Sequence, residues 1–242
     1  MNVVTLWHHL PHPAQACLAE YLVRAEFPSG SNFVWALAPH CALALAATRD
    51  ALESRGHTVS IHQFEPPRHA LRGRGKHERV AWLYNRLMSD LRDDHTFFLE
   101  DDVIPCDLNA SGRLRAVLDA SPPAVACVGG AYRVRGRAHL ACASISPRCF
   151  PFLPWSDLPN GPEPVYFLGC FTLYRTAALR ASLPFRLMPA SGPGRSCDGW
   201  DMNLAHAFHR LGLLSFLDAS IRAEHRTPDV IEWCEKHGQS LG

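Results

Sequence analysis

Two periodicities alternate along the first hundred positions. Asn2 to Trp7, Asn32 to Leu37, Thr58 to Phe64 and Thr96 to Leu99 are short runs rich in β-branched and aromatic residues, which predicts strands. Between them, Ala14 to Ala25, Cys41 to Arg55 and His77 to Leu91 carry apolar residues at helical spacing; in the last, Val80, Leu83, Leu87 and Leu91 share one stripe. Gly56 follows the second helix where a left-handed cap is expected. This strand–helix order predicts an α/β fold, with a mainly parallel, Rossmann-like sheet flanked by helices on both faces.

The second half is less regular. A short helix over Arg113 to Asp119 and a strand over Ala124 to Gly129 precede Arg133 to Pro164, a stretch rich in Arg, Pro, Ser and Cys with little periodicity, which reads as a functional loop. A strand over Val165 to Tyr174, a helix over Thr176 to Ser182, a second loop from Pro184 to Cys197 and a helix over Asp201 to Leu211 follow. Extended pieces over Leu214 to Leu217 and Ile221 to His225 complete the reading. We expect one domain over residues 1–242 with a loop-rich second half.

Composition narrows the function classes. In 242 residues, 47% are hydrophobic, enough for a sizeable core, and the formal net charge of +1 gives no field for unspecific nucleic-acid binding. The longest small-residue apolar run, Cys41 to Ala47, is far short of the ~20 residues that span a bilayer, so no membrane segment is expected. No basic stretch followed by an apolar core opens the chain. The nine cysteines form no C-x-x-C pair, so a disulfide framework or zinc knuckle is not expected and a reducing, cytoplasmic setting is. The His8-His9-x-x-His12 run has poor zinc spacing and no adjacent acid or cysteine.

The densest chemistry is Glu100-Asp101-Asp102, directly after the apolar strand Thr96 to Leu99. Ligands of parallel sheets bind at the carboxyl ends of strands, and this is such an end. Side chains alternate along an extended chain, so Glu100 and Asp102 face one way while Asp101 turns aside. Two converging carboxylates suit a hard cation, Mn²⁺ or Mg²⁺; the bland alternative is a solvated turn.

Phe97 to Pro105, FFLEDDVIP, resembles the D-x-D region of the GT-A glycosyltransferases in a Glu-Asp-Asp form. Two further segments follow in that family's order. Val165 to Arg175, VYFLGCFTLYR, resembles the strand with a Gly-x-Phe centre and trailing Arg that floors the acceptor site. Gly199 to Asp218 resembles the family-2-like segment in which an acid opens a helix ending in R-x-x-G, and His225 stands at the place of the late metal-binding histidine.

The resemblance implies a GT-A-like domain, with residues 1–130 binding a nucleotide sugar, UDP by default, and residues 131–242 binding the acceptor. It implies metal ligation by Glu100, Asp102 and His225. Asp201 takes the position of the base in an inverting enzyme, with Asp198 as its rival; both also read as ordinary helix-start acids. Gly169, Cys170 and Phe171 would line the sugar site, and Asp101 belongs to the donor side. Arg72-Gly73-Arg74-Gly75-Lys76 and Arg79 suit a diphosphate, although no Walker pattern is present, and Glu65 replaces an acid the family carries after its second strand.

The acceptor stays open: a glycan, a small molecule, or nucleic acid such as a hydroxymethylated DNA base. Arg133, Arg135, Arg137 and Arg148, interleaved with Phe150, Phe152 and Trp155, suit phosphate contacts and stacking. Two rival expectations are a catalytically silent module of the same fold that holds nucleic acid or a phosphorylated partner, and a phosphoryl-transfer or nuclease enzyme. The latter would need a second metal and more carboxylates than can be placed.

Overall fold

The structure is a computed structural model that describes residues 1–7, 13–37, 44–63, 76–146, 152–185 and 200–242, with the side chains of 76–79 and 200 outside the description. The first part runs β1 (Asn2–Trp7), α1 (Pro13–Arg24), β2 (Asn32–Leu37), α2 (Ala46–Ser54), β3 (Thr58–Gln63), α3 (Lys76–Leu87) and β4 (His95–Glu100). It continues through β5 (Val103–Pro105), α4 (Ala110–Ala120), β6 (Val125–Ala131), β7 (Arg133–Val134), β8 (Arg137–Ala141) and β9 (Ala143–Ser144). The last part holds β10 (Pro162–Val165), β11 (Phe167–Leu168), β12 (Thr172–Arg175), α5 (Thr176–Ala181), α6 (Trp200–Arg210), β13 (Leu214–His225) and α7 (Pro228–His237).

The main sheet has the order β10-β13-β6-β12-β4-β1-β2-β3. The ladders β3–β2, β2–β1, β1–β4 and β6–β13 are parallel; β12 lies antiparallel between β4 and β6, and β10 antiparallel on the edge of β13. Six of these eight strands therefore point the same way, and their carboxyl ends share one rim. Both faces are covered, which is why β1, β2, β4 and β6 read as apolar runs rather than alternations. Alternation still sorts the side chains. Val3, Trp7, Phe33, Trp35 and Phe97 pack under α1, α2 and α4, whereas Val4, Leu6, Val34, Ala36 and Phe98 pack under α3, α5 and α6.

At the opposite rim, buried polar side chains fix the strand starts. The Asn2 amide donates to the carbonyls of Asp93 and His95 and to Thr96 Oγ1, while its oxygen accepts from Asn32 Nδ2 and from the Arg92 N–H. Asn32 continues the chain by accepting from Thr58 Oγ1. Every group in this dry cluster is paired, so it costs nothing in lost hydration and sets the register of β1, β2 and β3.

The structure departs from the sequence reading in four places. The stretch from Arg133 is not a plain loop: β7 and β8 form a hairpin, and β9 pairs with β11. The expected strand over Val165 to Tyr174 is broken at Gly169–Phe171, because the backbone there turns off the β9 pairing and into the main sheet. The two extended pieces at 214–217 and 221–225 are one strand, β13, with a register shift between Asp218 and Arg222. A C-terminal helix, α7, was not expected, although it carries Pro228 in its first turn and Gly238 as a left-handed cap. No helix among the described residues is long and apolar enough to cross a membrane.

Candidate functional site

The acidic trio lies where β4 ends and the chain turns into β5. The three carboxylates meet different partners, because β4 ends at Glu100 and Asp101 and Asp102 lie in a turn. Asp101 is fully buried and its Oδ2 accepts from Gln15 Nε2 of α1 at 2.7 Å. Asp102 faces the opposite partner set. Strand β5 pairs with the end of β13, placing His225 opposite Val103, and the Arg226 N–H donates to the Asp102 carbonyl at 2.8 Å. This ladder brings His225 Nε2 to 3.5 Å from Asp102 Oδ2, with Arg135 Nη2 3.7 Å from the same oxygen.

The tautomer of His225 follows from its other nitrogen. Nδ1 lies 2.8 Å from the Arg133 carbonyl, which can only accept, so Nδ1 carries a proton. In the neutral ring, Nε2 then turns its lone pair toward a carboxylate: two acceptors face each other with room for a cation between them. Burial opposes a charged imidazole, but the Asp102 carboxylate and the Arg133 carbonyl outweigh it, and His225 sits above the usual histidine value. Adjacent ligands of a Mn²⁺ or Mg²⁺ octahedron lie ~3 Å apart, so the pair suits a divalent ion. Pinning of Nδ1 by a carbonyl is the arrangement that orients a ligating histidine.

Glu100 turns into a drier place. Its carboxyl hydrogen-bonds the Cys170 thiol, and burial, with the charge of Asp102 added, raises it above the usual carboxylate range. Among the described residues, no group of three His, Cys, Asp or Glu side chains gathers as metal ligands. Of the expected set of Glu100, Asp102 and His225, the structure brings Asp102 and His225 together, whereas the Glu100 carboxyl pairs with Cys170.

Asp201 opens α6 and is half-buried; its Oδ1 accepts from the Met202 N–H at 2.8 Å. Its charge reaches Glu100, Cys142, Cys170 and Tyr84, so it lies beside the same cluster. Asp198, Glu65 and Arg72 lie outside the described residues, as do the side chains of Lys76 and Arg79.

The Gly169–Phe171 break forms the floor. A Cβ on Gly169 would come 1.9 Å from the Tyr132 hydroxyl and 2.6 Å from Cys142 Sγ, so only glycine fits. The Cys170 N–H donates to that hydroxyl at 2.8 Å, and Thr172 Oγ1 donates to the Gly169 carbonyl at 2.7 Å. Phe171 does not line the sugar site. It is fully buried, 5.8 Å from the Phe97 ring, and belongs to the core. The trailing Arg175 is not at the acceptor side either. It lies at the opposite rim, donating to the carbonyls of Val125, Leu118 and Ser121, where it closes the end of α4. Trp155, for which the sequence leaves both stacking on a ligand and simple packing open, lies under the guanidinium groups of Arg133 and Arg222.

Sequence reasoning missed Tyr132, Cys142 and Gln15. A signal for the first was present: Gly129-Gly130 ends a strand at the ligand rim, and a Cβ on Gly130 would meet Phe171 at 2.2 Å, so the glycines mark the close crossing beside Tyr132.

No protein-family model and no curated protein matches this chain in sequence. Solved structures do match in fold. S. aureus TarS 1-349 in complex with UDP-GlcNAc is similar over 93% of this chain and 59% of its own, at 13% identity and a TM-score of 0.55. Glucosyl-3-phosphoglycerate synthase from Mycobacterium tuberculosis, in complex with Mn²⁺, UDP-glucose and phosphoglyceric acid, is similar over 99% of this chain and 80% of its own, at 13% identity and 0.52. A UDP-glucose pyrophosphorylase complexed with UDP-glucose is similar over 98% of both chains, at 7% identity and 0.53. The chain thus spans about three-fifths of the TarS 1-349 chain. The fold is of the GT-A type that the motif order implied, a mixed α/β sheet shared with proteins crystallised on UDP-sugars.

Proposed function

We propose that the protein is a metal-assisted glycosyltransferase that moves a sugar from a nucleotide diphosphate, UDP by default, to an acceptor hydroxyl. The observation that carries this reading is the meeting of Asp102 Oδ2 and His225 Nε2 at the carboxyl ends of the sheet, with Nδ1 already pinned. Asp102 and His225 would hold Mn²⁺ or Mg²⁺, hard cations suited to a carboxylate and an imidazole beside a diphosphate. The ion supplies Lewis-acid charge for the departing diphosphate.

The chain's own residues do the rest. Asp201, half-buried at the start of α6, takes the proton of the acceptor hydroxyl as it attacks, which makes the reaction a single inverting displacement; Asp198 is the second choice for that role. Glu100, raised above the usual carboxylate range by burial and the charge of Asp102, pairs with Cys170, and Gly169 lets the chain pass against the Tyr132 hydroxyl and Cys142. Asp101, tied to Gln15, fixes the turn that aims Asp102. Arg72, Lys76, Arg79 and Glu65 are assigned to the donor side by the family resemblance, residues 1–130 forming the donor half and 131–242 the acceptor half.

Incubation with a panel of UDP- and GDP-sugars plus Mn²⁺ tests the reading, with release of the nucleoside diphosphate and the anomeric configuration of the product as readouts. Slow turnover with at least one donor and an inverted anomer is expected. Binding of a nucleotide without turnover of any donor is the result that the catalytically silent module predicts.

A further inference from the structure

The β7–β8 hairpin is a braced arm. Arg133 at its base is 1% exposed; its Nη1 donates to the Ala138 carbonyl at 2.6 Å and its Nε to the Ser240 carbonyl at 3.2 Å. Its guanidinium lies 4.2 Å from the Trp155 ring centroid and 5.4 Å from that of Trp233, so the charge is dry and stacked. The tip is braced as well: the Gly136 N–H donates to the Asp229 carboxylate at the start of α7, with Gly136 in the left-handed region at φ +70°. Arg135 lies between these two fixings.

Arg135 is thus presented by a fixed backbone, half exposed, 3.7 Å from Asp102 Oδ2, which His225 Nε2 also approaches at 3.5 Å. As a stabilising ion pair this is worth little, because the guanidinium is half in water and the contact is not bidentate. Nor does the hairpin need it, being held by Arg133 and Asp229. A planar cation at the edge of the ion-binding pair has another use: its fork matches a phosphate.

We propose that Arg135 grips the diphosphate of the donor, and that in the donor-free protein it stands on Asp102 as a counter-ion that the metal must displace. This rests on the nucleotide-sugar reading. It makes two opposite demands on one residue. Removing the guanidinium should help a bare metal ion, because Asp102 is released, and should harm a diphosphate, because the grip is lost. A merely structural residue would move both in the same direction or neither.

The test uses the full chain with Arg135→Gln and Arg135→Lys. Mn²⁺ alone is titrated by the electron paramagnetic resonance signal of the free ion, and UDP and uridine are titrated by calorimetry in the presence of EDTA. Arg135→Gln should bind Mn²⁺ roughly tenfold tighter and lose roughly tenfold in UDP affinity, the scale of one charge-assisted contact, with uridine unchanged. Arg135→Lys should recover part of the preference for UDP over uridine. Mn²⁺ affinity unchanged in Arg135→Gln, or a UDP-to-uridine ratio equal to wild type, overturns the proposal. If the wild-type chain binds neither UDP nor uridine, the nucleotide-sugar reading falls and the diphosphate grip with it, whereas the Mn²⁺ titration still decides whether Arg135 competes for Asp102.

Discussion

Removing one oxygen atom from the site floor should be felt by the whole fold. Tyr132 is buried, and its hydroxyl accepts the Cys170 N–H at 2.8 Å. Tyr132→Phe leaves that amide with no partner, and water has no access to replace it. An orphaned buried donor costs about 1–3 kcal/mol, and the void left by one oxygen adds less than ~1 kcal/mol. A loss of about 2 kcal/mol corresponds to a fall in melting temperature of about 4–8 °C for a chain of this size. Urea denaturation should show a lower midpoint with an unchanged slope. A double-mutant cycle sharpens the argument. A Cβ at position 169 would lie 1.9 Å from the hydroxyl that Tyr132→Phe deletes. Gly169→Ala should therefore cost less in the Tyr132→Phe background than in the wild type, with a coupling of about 0.5–3 kcal/mol. A melting temperature unchanged by Tyr132→Phe within about 1 °C, or a strictly additive cycle, would refute the reasoning.

Three further outcomes follow from the same contacts. Arg175→Ala should destabilise the chain by about 2–3 kcal/mol, because the carbonyls of Val125, Leu118 and Ser121 lose a charged donor, and Arg175→Lys should recover little, lacking the fork; denaturation midpoints decide it. Acidification through the range of ordinary histidine titration should remove the contribution of two histidines that the fold holds low. His57 is held below its usual value by burial, helped by Arg55, and burial lowers His95 as well. The unfolded chain therefore takes up protons near pH ~6.5 while the folded chain does not, so the contribution is full above that pH and declines as pH drops through it. His57→Gln should flatten the difference in urea midpoint between neutral and mildly acidic buffer. Asp201→Asn keeps an acceptor for the Met202 N–H and should leave the melting temperature in place, while steady-state assays show kcat lowered by about 10²–10⁴-fold, the worth of a positioned base.

The elements visible in sequence were those with a long period to display. Strands β1, β2 and β4 are apolar on both faces, β3 at the sheet edge carries β-branched residues, and α1 and α3 carry clear stripes, so the parallel half was legible in outline. Strands β7, β9 and β11 have two residues each, too few to show alternation. The break at Gly169 was hidden because a glycine flanked by apolar residues also fits an unbroken strand; what forces it is Tyr132, brought in from another strand. Strand β13 reads as two pieces because Ala219 and Ser220 interrupt its pattern at the register shift. Helix α7 carries its start and stop signals in Pro228 and Gly238. For the site, alternation alone separated Asp101 from Glu100 and Asp102. It could not reveal that Cys170 occupies Glu100, or that a braced hairpin carries Arg135 to Asp102, since both depend on long-range packing.

The central claim is that Asp102 and His225 form one divalent-cation site that works together with a nucleoside diphosphate. The most direct measurement is the thermal shift produced by UDP, with and without Mn²⁺, in wild type, Asp102→Asn and His225→Asn. At a ligand concentration of about one hundred times Kd, binding adds about 2.7 kcal/mol, a shift of roughly 5–11 °C at this chain length. The account predicts that Mn²⁺ enlarges the UDP shift in wild type and that this increment disappears in both variants while each still melts cooperatively. An equal Mn²⁺-dependent increment in all three proteins, or none in wild type, would contradict it.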